Sequence, residues 1–235
     1  MKAVILAAGK GERLRGVVDI PKPMIRYQGK PILQHNIELC RKFGITEIFI
    51  NTHHLPEVIK SYFGDGLAFG VEIRYSFEKE LLGTAGALNS FREQLAAEPF
   101  FVLYGDNCSN FDLSSLVTEY LKHPCTGVIG FHYRKDVSQS GVGEFAFDGR
   151  IIKFVEKPKP GITDSHWVNA GIYYLSPAIF QYIPSGFSDF AKDVIPSLLS
   201  RDIPLYSVCF GTSLRAFDTP DLLRDALRES NDSKG

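Results

Sequence analysis

The segment from residue 2 to residue 24 places Gly9, Gly11, Arg13 and Lys22 after an apolar run. Gly9 and Gly11 follow the apolar residues Ala3–Ala7, and a chain without Cβ atoms can turn tightly there and point backbone N–H groups at an anion. Arg13 adds a planar guanidinium that is always charged and suits phosphate oxygens. The prolines on both sides of Lys22 restrict the backbone and limit where its ammonium group can reach. This combination predicts a phosphate-binding loop.

Two familiar nucleotide motifs do not fit this segment. Leu14 occupies the position where a dinucleotide-binding fingerprint has its third glycine, and Gly11 follows Lys10, whereas a P-loop needs Gly-Lys-Ser/Thr. An NAD-dependent oxidoreductase therefore matches only the opening strand and glycines. The other alternative is an ordinary turn after a strand, with its charges in solvent.

Two further sets of polar residues follow predicted strands. Asp106 comes just after the strand Phe100–Tyr104, at the end of an open α/β sheet where ligands bind, and its carboxylate could hold Mg²⁺ against triphosphate oxygens. Glu156 and Lys157 stand at the end of a later strand. Each set has a plainer interpretation: a turn or helix-capping aspartate for Asp106, and a solvated charge pair for Glu156 and Lys157.

These features occur in the order typical of one enzyme family. The glycines, Arg13 and the P-K-P around Lys22 fit a pattern of strand, G-x-G-x-R-[LM] and P-K-P. Four later segments follow it: "LLGTAGAL" (Leu81–Leu88), "YGDN" (Tyr104–Asn107), "FVEKPK" (Phe154–Lys159) and "VNAGIYYL" (Val168–Leu175). On these motifs the sequence resembles the sugar-phosphate nucleotidyltransferases over essentially its whole length. Within them it is most similar to mannose-1-phosphate and heptose-1-phosphate guanylyltransferases.

The resemblance implies that the protein transfers a nucleoside monophosphate from a nucleoside triphosphate to a sugar 1-phosphate, releases pyrophosphate and uses Mg²⁺ as cofactor. It implies a catalytic role for Arg13 and Lys22 and metal ligation by Asp106 and Asp218. Nucleotide binding is implied for residues of the first half: Leu6, Ala8, Gly9, Gly11, Glu78, Gly83, Thr84 and Asp106. Sugar-phosphate binding is implied for residues of the second half: Gly143, Glu156, Lys157, Asn169 and Gly171.

Two of these implied groups also have structural interpretations. The small residues around Gly83 and Thr84 would let a planar base approach the backbone closely, or they could form a helix start that packs against the sheet. Asn169 would present an amide to the sugar, or it could be a turn-forming residue within a strand.

Glu78 bears on the choice of nucleobase. It lies five residues before Gly83, where relatives that use thymidine or uridine nucleotides generally carry glutamine. A carboxylate only accepts hydrogen bonds, and guanine offers two adjacent donors, so Glu78 predicts GTP and a mannose-type or heptose-type sugar phosphate. The alternatives are uridylyl, thymidylyl or cytidylyl transfer, with Glu78 as a surface charge beside Lys79 and Glu80.

The sequence departs from the family near its end. The family commonly has Asp-x-Gly-Thr-Pro, whose aspartate is a second metal ligand, but this chain reads "RAFDTPDLL". Ala216 occupies the ligand position, and Asp218 stands where glycine is expected. Cytidylyltransferases of the same superfamily have an Asp-Thr arrangement closer to this one, and this similarity implies that Asp218 reaches the metal after a small backbone shift. A second hypothesis is therefore a nucleotide-sugar sensor that keeps the fold and has lost catalysis.

Alternating short β-rich runs and helical patterns up to about residue 133 predict an α/β protein with a Rossmann-like, open, mostly parallel mixed sheet flanked by helices. The predicted strands are Ala3–Ala7, Glu47–Asn51, Glu72–Ser76, Phe100–Tyr104 and Gly127–Tyr133. Pro31 starts a predicted helix that Gly44 ends. After residue 140, Asp148–Gly149 predicts a hairpin in a partly antiparallel half. We expect one nucleotidyltransferase domain of GT-A-like fold, with residues 1–133 binding nucleotide and residues 134–235 binding sugar phosphate.

Composition restricts the partners. The 26 basic and 27 acidic residues are mixed along the chain and give a formal net charge of −1. We therefore expect no nucleic-acid partner and no membrane partner. No apolar run approaches the roughly 20 residues that span a bilayer. The four cysteines form no CxxC pair, which predicts reduced thiols and a cytoplasmic protein without disulfides or structural zinc. The oligomeric state stays open, with a homodimer among the options.

Overall fold

The computed structural model describes residues 1–9, 11, 19–211, 214–217, 221, 223 and 224. Its strands are β1 Lys2–Leu6, β2 Arg26–Tyr27, β3 Lys30–Pro31, β4 Glu47–Thr52, β5 Glu72–Phe77, β6 Phe100–Tyr104, β7 Asn107–Cys108, β8 Gly127–Tyr133, β9 Gly141–Phe145, β10 Ile151–Glu156, β11 Trp167–Leu175, β12 Leu205–Phe210 and β13 Arg215–Ala216. Its α-helices are α1 Ile32–Lys42, α2 Pro56–Phe63, α3 Gly83–Gly86, α4 Arg92–Leu95, α5 Ser114–Lys122 and α6 Ile195–Ser200. Short 3-10 helices cover Lys22–Met24, Leu67–Phe69, Ala87–Phe91 and Pro177–Gln181, and a π-helix covers Phe190–Val194.

The chain divides into two compact units. The first unit comprises residues 1–81, 103–110 and those from 214 onward, and the second comprises residues 82–102 and 111–213. The boundary divides β6 between residues 102 and 103. The expected single domain, with its two halves meeting after residue 133, stays a prediction.

Three neighbouring parallel strands, β1, β4 and β5, lie in the first unit. β4 pairs with β1 and with β5, so that Leu6, Asn51 and Ser76 lie in register near the carboxyl ends of their strands. Residues 3–5 of β1 are fully buried, as expected for a parallel strand that is covered on both faces. This arrangement brings the polar residues that follow these strands to one edge of the sheet.

The helix α1 forms where the sequence predicts it. It begins directly after Pro31 and ends before Gly44, whose φ of +72° suits a residue without a Cβ atom. Its fully buried residues Leu33, Ile37 and Cys40 are four and three positions apart and line one face of the helix. The predicted helix is therefore confirmed.

The second unit has a mixed sheet. β8 pairs antiparallel with β11 and parallel with β12, and β9 pairs antiparallel with β10 and β11. The predicted hairpin joins β9 to β10: Gly149 has a φ of +86°, and the Arg150 N–H donates to Asp148 Oδ1 at 3.0 Å. The hairpin prediction is confirmed.

The observed strand ends agree closely with the predicted ones. β6 and β8 have the predicted bounds. β1 ends one residue early because the Ala7 N–H donates to the Asn51 side chain at 2.8 Å and does not continue the ladder. Both units combine helices with strands, so the α/β class is confirmed. Among the described residues, none of the helices combines the length and the apolar character that a membrane span requires.

Candidate functional site

Lys22 reaches Asp106 in the first unit. Its Nζ lies 2.7 Å from Asp106 Oδ2, and the lysine side chain is 9% exposed whereas the aspartate is 32% exposed. Lys22 opens the 3-10 helix Lys22–Met24, which follows Pro21 and is closed by a bond from the Met24 N–H to the Pro21 carbonyl. The proline-bounded turn therefore buries the lysine stem and directs its ammonium group to the end of β6.

Gly105 lets Asp106 lie beside the end of β1. The Gly105 N–H donates to the Leu6 carbonyl at 2.9 Å, and a Cβ atom on Gly105 would stand 2.8 Å from the same oxygen. Real Cβ atoms essentially never approach so closely, so only glycine permits this contact. The sequence interpretation did not include Gly105 among the site residues, although it stands in the "YGDN" motif.

Asp106 is the described site residue that could hold a metal. Mg²⁺ is usually bound by one or two carboxylates together with substrate phosphates and water, and the Asp106 carboxylate fits one side of such a site. The described residues contain no group of three or more His, Cys, Asp or Glu that could hold a metal. Ala216 pairs with Asn107, next to Asp106, so the family's second ligand position adjoins Asp106 but carries a methyl group. Asp218 lies outside the described residues, as does Arg13.

The end of β1 and the loop after it carry four residues of the predicted nucleotide set. Leu6 ends β1, Ala8 is buried and Gly9 is exposed. Gly11 has a φ of +60°, and a Cβ atom there would lie 3.8 Å from Lys22 Cβ. The structure therefore brings Gly11 and Lys22 together although they are eleven positions apart in the sequence.

Glu78 is buried at the end of β5. It is 3% exposed, and its Oε1 accepts a hydrogen bond of 2.7 Å from Asn51 Nδ2. Asn51 is also 3% exposed, and its Oδ1 accepts from the Ala7 N–H. The interpretation of Glu78 as a surface charge beside Lys79 and Glu80 is therefore wrong. Asn51 was missed, and its only signal in the sequence is a polar residue at the carboxyl end of an apolar strand.

Gly83 and Gly86 pack against residues 186–188 within the second unit. A Cβ atom on Gly83 would lie 2.4 Å from the Ser188 carbonyl oxygen, and one on Gly86 would lie 2.3 Å from that of Gly186. The same Ser188 oxygen accepts bonds from the N–H groups of Ala85 and Gly86. These glycines are therefore required by packing, whether or not Gly83 binds nucleotide.

Thr84 joins this helix start to the π-helix. Its Oγ1 donates to Asp189 Oδ2 at 3.0 Å and accepts from the Phe190 N–H at 2.9 Å. Asp189 Oδ1 caps the π-helix by accepting from the N–H groups of Ala191 and Lys192. Nucleotide binding by Thr84 stays a prediction.

Glu156 and Lys157 differ in their surroundings. Burial raises the pKa of the half-buried Glu156 carboxyl above its ordinary value, Lys157 lowers it, and Asp189 raises it further. Lys157 is exposed and has a φ of +49°, in the left-handed region that L side chains rarely adopt. Such strain is common at ligand sites, where the surrounding structure maintains it.

Asn169 and Gly171 form an irregularity in β11. Asn169 Oδ1 accepts from the Gly171 N–H at 2.9 Å, its Nδ2 donates to the Tyr173 hydroxyl at 2.6 Å, and Gly171 has a φ of +67°. The register with β8 shifts between Asn169 and Tyr173. Asn169 therefore stabilises an irregularity within the strand, and a role in sugar binding stays a prediction.

Gly143 lies on β9 between two phenylalanine rings. A Cβ atom there would lie 2.7 Å from ring carbons of Phe131 and Phe145. Its carbonyl accepts from Ser165 Oγ at 2.6 Å, which ties β9 to the segment before β11. Packing alone accounts for the glycine, and its contact with a sugar stays a prediction.

A model of the nucleotidyl transferase family matches residues 2–213. The chain therefore belongs to this family, and the resemblance read from its motifs is confirmed.

The chain is 39% identical over 226 residues to a UTP–glucose-1-phosphate uridylyltransferase of Synechocystis sp., with 88% of this chain and 58% of the relative covered. It is 34% identical over 213 residues to the mannose-1-phosphate guanylyltransferase catalytic subunit beta of Danio rerio, with the same coverage. The chain thus spans 58% of the length of these two curated relatives.

Among solved structures, a Bacillus anthracis protein described as a glucose-1-phosphate thymidylyltransferase, in complex with a sucrose, matches with a TM-score of 0.87 at 26% identity. The match covers 99% of this chain and 96% of that one. The predicted fold is confirmed as α/β with a mixed, mostly parallel central sheet and flanking helices. The three similar proteins are named for three different nucleotides.

Proposed function

We propose that the chain catalyses the transfer of a nucleoside monophosphate from a nucleoside triphosphate, with GTP favoured, to a mannose-type or heptose-type sugar 1-phosphate. The observation that carries this proposal is the Lys22–Asp106 pair, in which a buried cation meets a carboxylate at the end of β6. A lysine and a metal-binding carboxylate are the groups that the transfer of a polyanion needs.

An oxygen of the sugar 1-phosphate attacks the α-phosphorus, a new P–O bond forms, and the bond to the departing pyrophosphate breaks. No general base is required, because a phosphate monoester with a second pKa of about 6 is already largely dianionic at neutral pH. The difficulty is the repulsion between two anions. Lys22 and Arg13 offset that charge at the triphosphate, and Mg²⁺ held by Asp106 would neutralise more of it.

Two further groups of residues bind the substrates in this proposal. The nucleotide is bound by the loop after β1 and by Gly83 and Thr84, with Glu78 accepting hydrogen bonds from guanine. The sugar phosphate is bound through the Lys157 ammonium group, and its hydroxyls contact residues of the second unit: Gly143, Glu156, Asn169 and Gly171. The position of Glu78 directly after β5 supports its assignment, because ligands of open α/β sheets bind beyond the carboxyl ends of the parallel strands.

The test is pyrophosphate release from a matrix of GTP, UTP, dTTP and CTP against mannose, heptose and glucose 1-phosphates, with Mg²⁺ present. We expect release with GTP and a mannose-type or heptose-type phosphate. A preference for UTP, dTTP or CTP would contradict the assignment of Glu78 and support the named activities of the uridylyl or thymidylyl relatives.

Ala216 favours one second candidate, a nucleotide-sugar sensor that binds without turnover, because a second metal carboxylate is missing at that position. Its signature is a ligand-induced rise in melting temperature without pyrophosphate release in any pairing. The cytoplasmic location and the homodimer stay proposals, to be tested by fractionation and by the mass of the protein in solution.

A further inference from the structure

We propose that Lys192 is a further binding residue for the phosphate group of the sugar 1-phosphate. A hydrogen bond between Thr84 and Asp189 positions it beside Glu156. The inference rests on the proposed function, in which the end of β10 binds this substrate. It concerns the π-helix of the second unit, which contacts both α3 and β10.

The start of the π-helix is tied to α3 by the side chain of Thr84. The Thr84 hydroxyl donates to Asp189 Oδ2 at 3.0 Å and accepts from the Phe190 N–H at 2.9 Å. A threonine hydroxyl has one proton, so its only donor is used within the protein. Thr84 stands in the predicted nucleotide motif, but its hydroxyl holds the segment that carries Lys192.

The main-chain donors at the start of the π-helix are already satisfied. The first N–H of the helix is bonded to Thr84. Asp189 Oδ1 accepts from the N–H groups of Ala191 and Lys192 at 2.9 and 3.2 Å. The next N–H, that of Asp193, donates to the Asp189 carbonyl at 3.0 Å. An anion bound here would therefore need side-chain donors, and Lys192 is the cationic residue of this helix.

The Glu156 carboxyl, at the end of β10, is the group on which these charges act. A Cβ atom on Gly141 would lie 2.9 Å from Glu156 Oε2, so the carboxyl lies over the bare backbone of β9. Burial raises the pKa of this carboxyl above its ordinary value, and the charge of Asp189 adds to the effect. The ammonium groups of Lys157 and Lys192 oppose it, so both cations act on the same carboxyl.

The ammonium groups of Lys157 and Lys192 are available to a ligand. Both lysines are exposed, and neither side chain has a hydrogen-bonding partner among the described residues; the same holds for the Glu156 carboxyl. In the same hairpin, by contrast, Lys153 and Glu144 are paired at 2.8 Å. Two unpaired cations beside a half-buried carboxyl suit a sugar phosphate, because the phosphate accepts from the ammonium groups and a sugar hydroxyl donates to the carboxylate.

The experiment measures dissociation constants by isothermal titration for mannose 1-phosphate, glucose 1-phosphate and the two unphosphorylated sugars, and separately for GTP and UTP. We expect the wild type to bind at least one sugar 1-phosphate more tightly than its parent sugar. Lys192→Met should weaken that binding by at least about tenfold, the effect of a hydrogen bond to a charged group, and leave the affinity for both nucleotides unchanged. Lys192→Arg keeps the charge and should stay within about threefold of the wild type.

The matched control is Lys159→Met. Lys159 is also exposed and lies two residues beyond Lys157, so the substitution removes the same charge from the same unit. We expect it to leave the affinity for the sugar 1-phosphate unchanged. An equal loss in the Lys159 and Lys192 variants would show a general effect of charge and would overturn the inference.

Two variants of Thr84 test the positioning. Thr84→Val removes the partner of Asp189 Oδ2 and of the Phe190 N–H, and we expect it to weaken binding of the sugar 1-phosphate by about threefold. Thr84→Ser keeps the hydroxyl and should bind the sugar 1-phosphate as the wild type does. A purely structural role would lower the melting temperature of Thr84→Val without changing this affinity, and that result would overturn the positioning role.

The assignment of Lys192 is overturned if Lys192→Met retains the wild-type affinity for the sugar 1-phosphate, if it loses affinity for the nucleotides to the same extent, or if the wild type binds neither sugar 1-phosphate. Pyrophosphate release by the wild type tests the proposed function separately. A protein whose binding of a sugar 1-phosphate depends on Lys192, but which releases no pyrophosphate, would overturn that function and support this inference.

Discussion

The first unit holds its predicted binding groups through pairs of side chains, Lys22 with Asp106 and Asn51 with Glu78. In the second unit, two of the predicted groups depend on main-chain conformation and close packing: Lys157 has a positive φ, and Gly83 lies against the Ser188 carbonyl. The two arrangements should fail in different ways. Substitutions that remove charge or a hydrogen bond should damage the first, and substitutions that add or remove a Cβ atom should damage the second.

The largest effect is expected from Lys22→Ala, which removes one partner of the Lys22–Asp106 pair. If the proposed function is right, the variant folds, and its rate of pyrophosphate release falls by about 10²–10³-fold, as for the loss of other preorganised charges. The control is Lys30→Ala, which removes the same charge from an exposed pair with Glu38. Near-normal turnover of the Lys22 variant would contradict the role of this pair.

The next effect tests packing in the second unit. Gly83→Ala places a Cβ atom against the Ser188 carbonyl at a φ of +76°, whereas Gly161→Ala has a φ of +81° and nothing within 4 Å. We expect Gly161→Ala to lower the free energy of unfolding by about 1 kcal/mol through backbone strain, and Gly83→Ala by at least about 3 kcal/mol through strain and overpacking. Denaturant titrations measure both, and equal losses would show that the close approach at Gly83 is not needed.

The sequence was most informative where local pattern determines structure. The apolar strands, the helix between Pro31 and Gly44, and the hairpin at Asp148–Gly149 each follow from spacing and turn chemistry. The motifs also selected Lys22, Asp106 and Glu78. What they could not provide were contacts between residues far apart in the chain, such as the bonds of Asn51 to Ala7 and Glu78, because no local periodicity encodes them.

The glycines show a second limit of what a sequence pattern can predict. Their smallness suggests access for a ligand, yet at Gly83, Gly105 and Gly143 the space of a Cβ atom is filled by the protein itself. A sequence shows that a side chain is absent but not what occupies its place. Only the packing distinguishes a glycine that admits a base from one that admits a neighbouring carbonyl or ring.

A smaller effect is expected at Lys157, where strain and charge can be separated. Lys157→Gly and Lys157→Ala both remove the ammonium group, but only glycine relieves the φ of +49°. We expect the glycine variant to be more stable than the alanine variant by about 1 kcal/mol, the reverse of the usual order. Both should raise the KM for the sugar 1-phosphate to the same extent. An alanine variant that is the more stable one would show that the main chain at residue 157 is not strained.

The smallest effect is expected from two glutamates of the second unit whose pKa values are shifted in opposite directions. Glu144 accepts hydrogen bonds from side chains, whereas the pKa of Glu156 is raised mainly by burial. Burial raises the pKa of the Glu156 carboxyl, so the folded state favours the neutral form. The stability that Glu156 contributes relative to glutamine is therefore lost as the pH rises above the pKa of an ordinary glutamate. Hydrogen bonds from Lys153 and Thr163 lower the pKa of Glu144, so its contribution is present at neutral pH and is lost as pH falls. As the pH rises from about 4 to about 7, Glu156→Gln should therefore gain stability relative to the wild type, and Glu144→Gln should lose it. Denaturant titrations across this pH range give both differences, and slopes of the same sign would contradict the different surroundings of the two carboxyl groups.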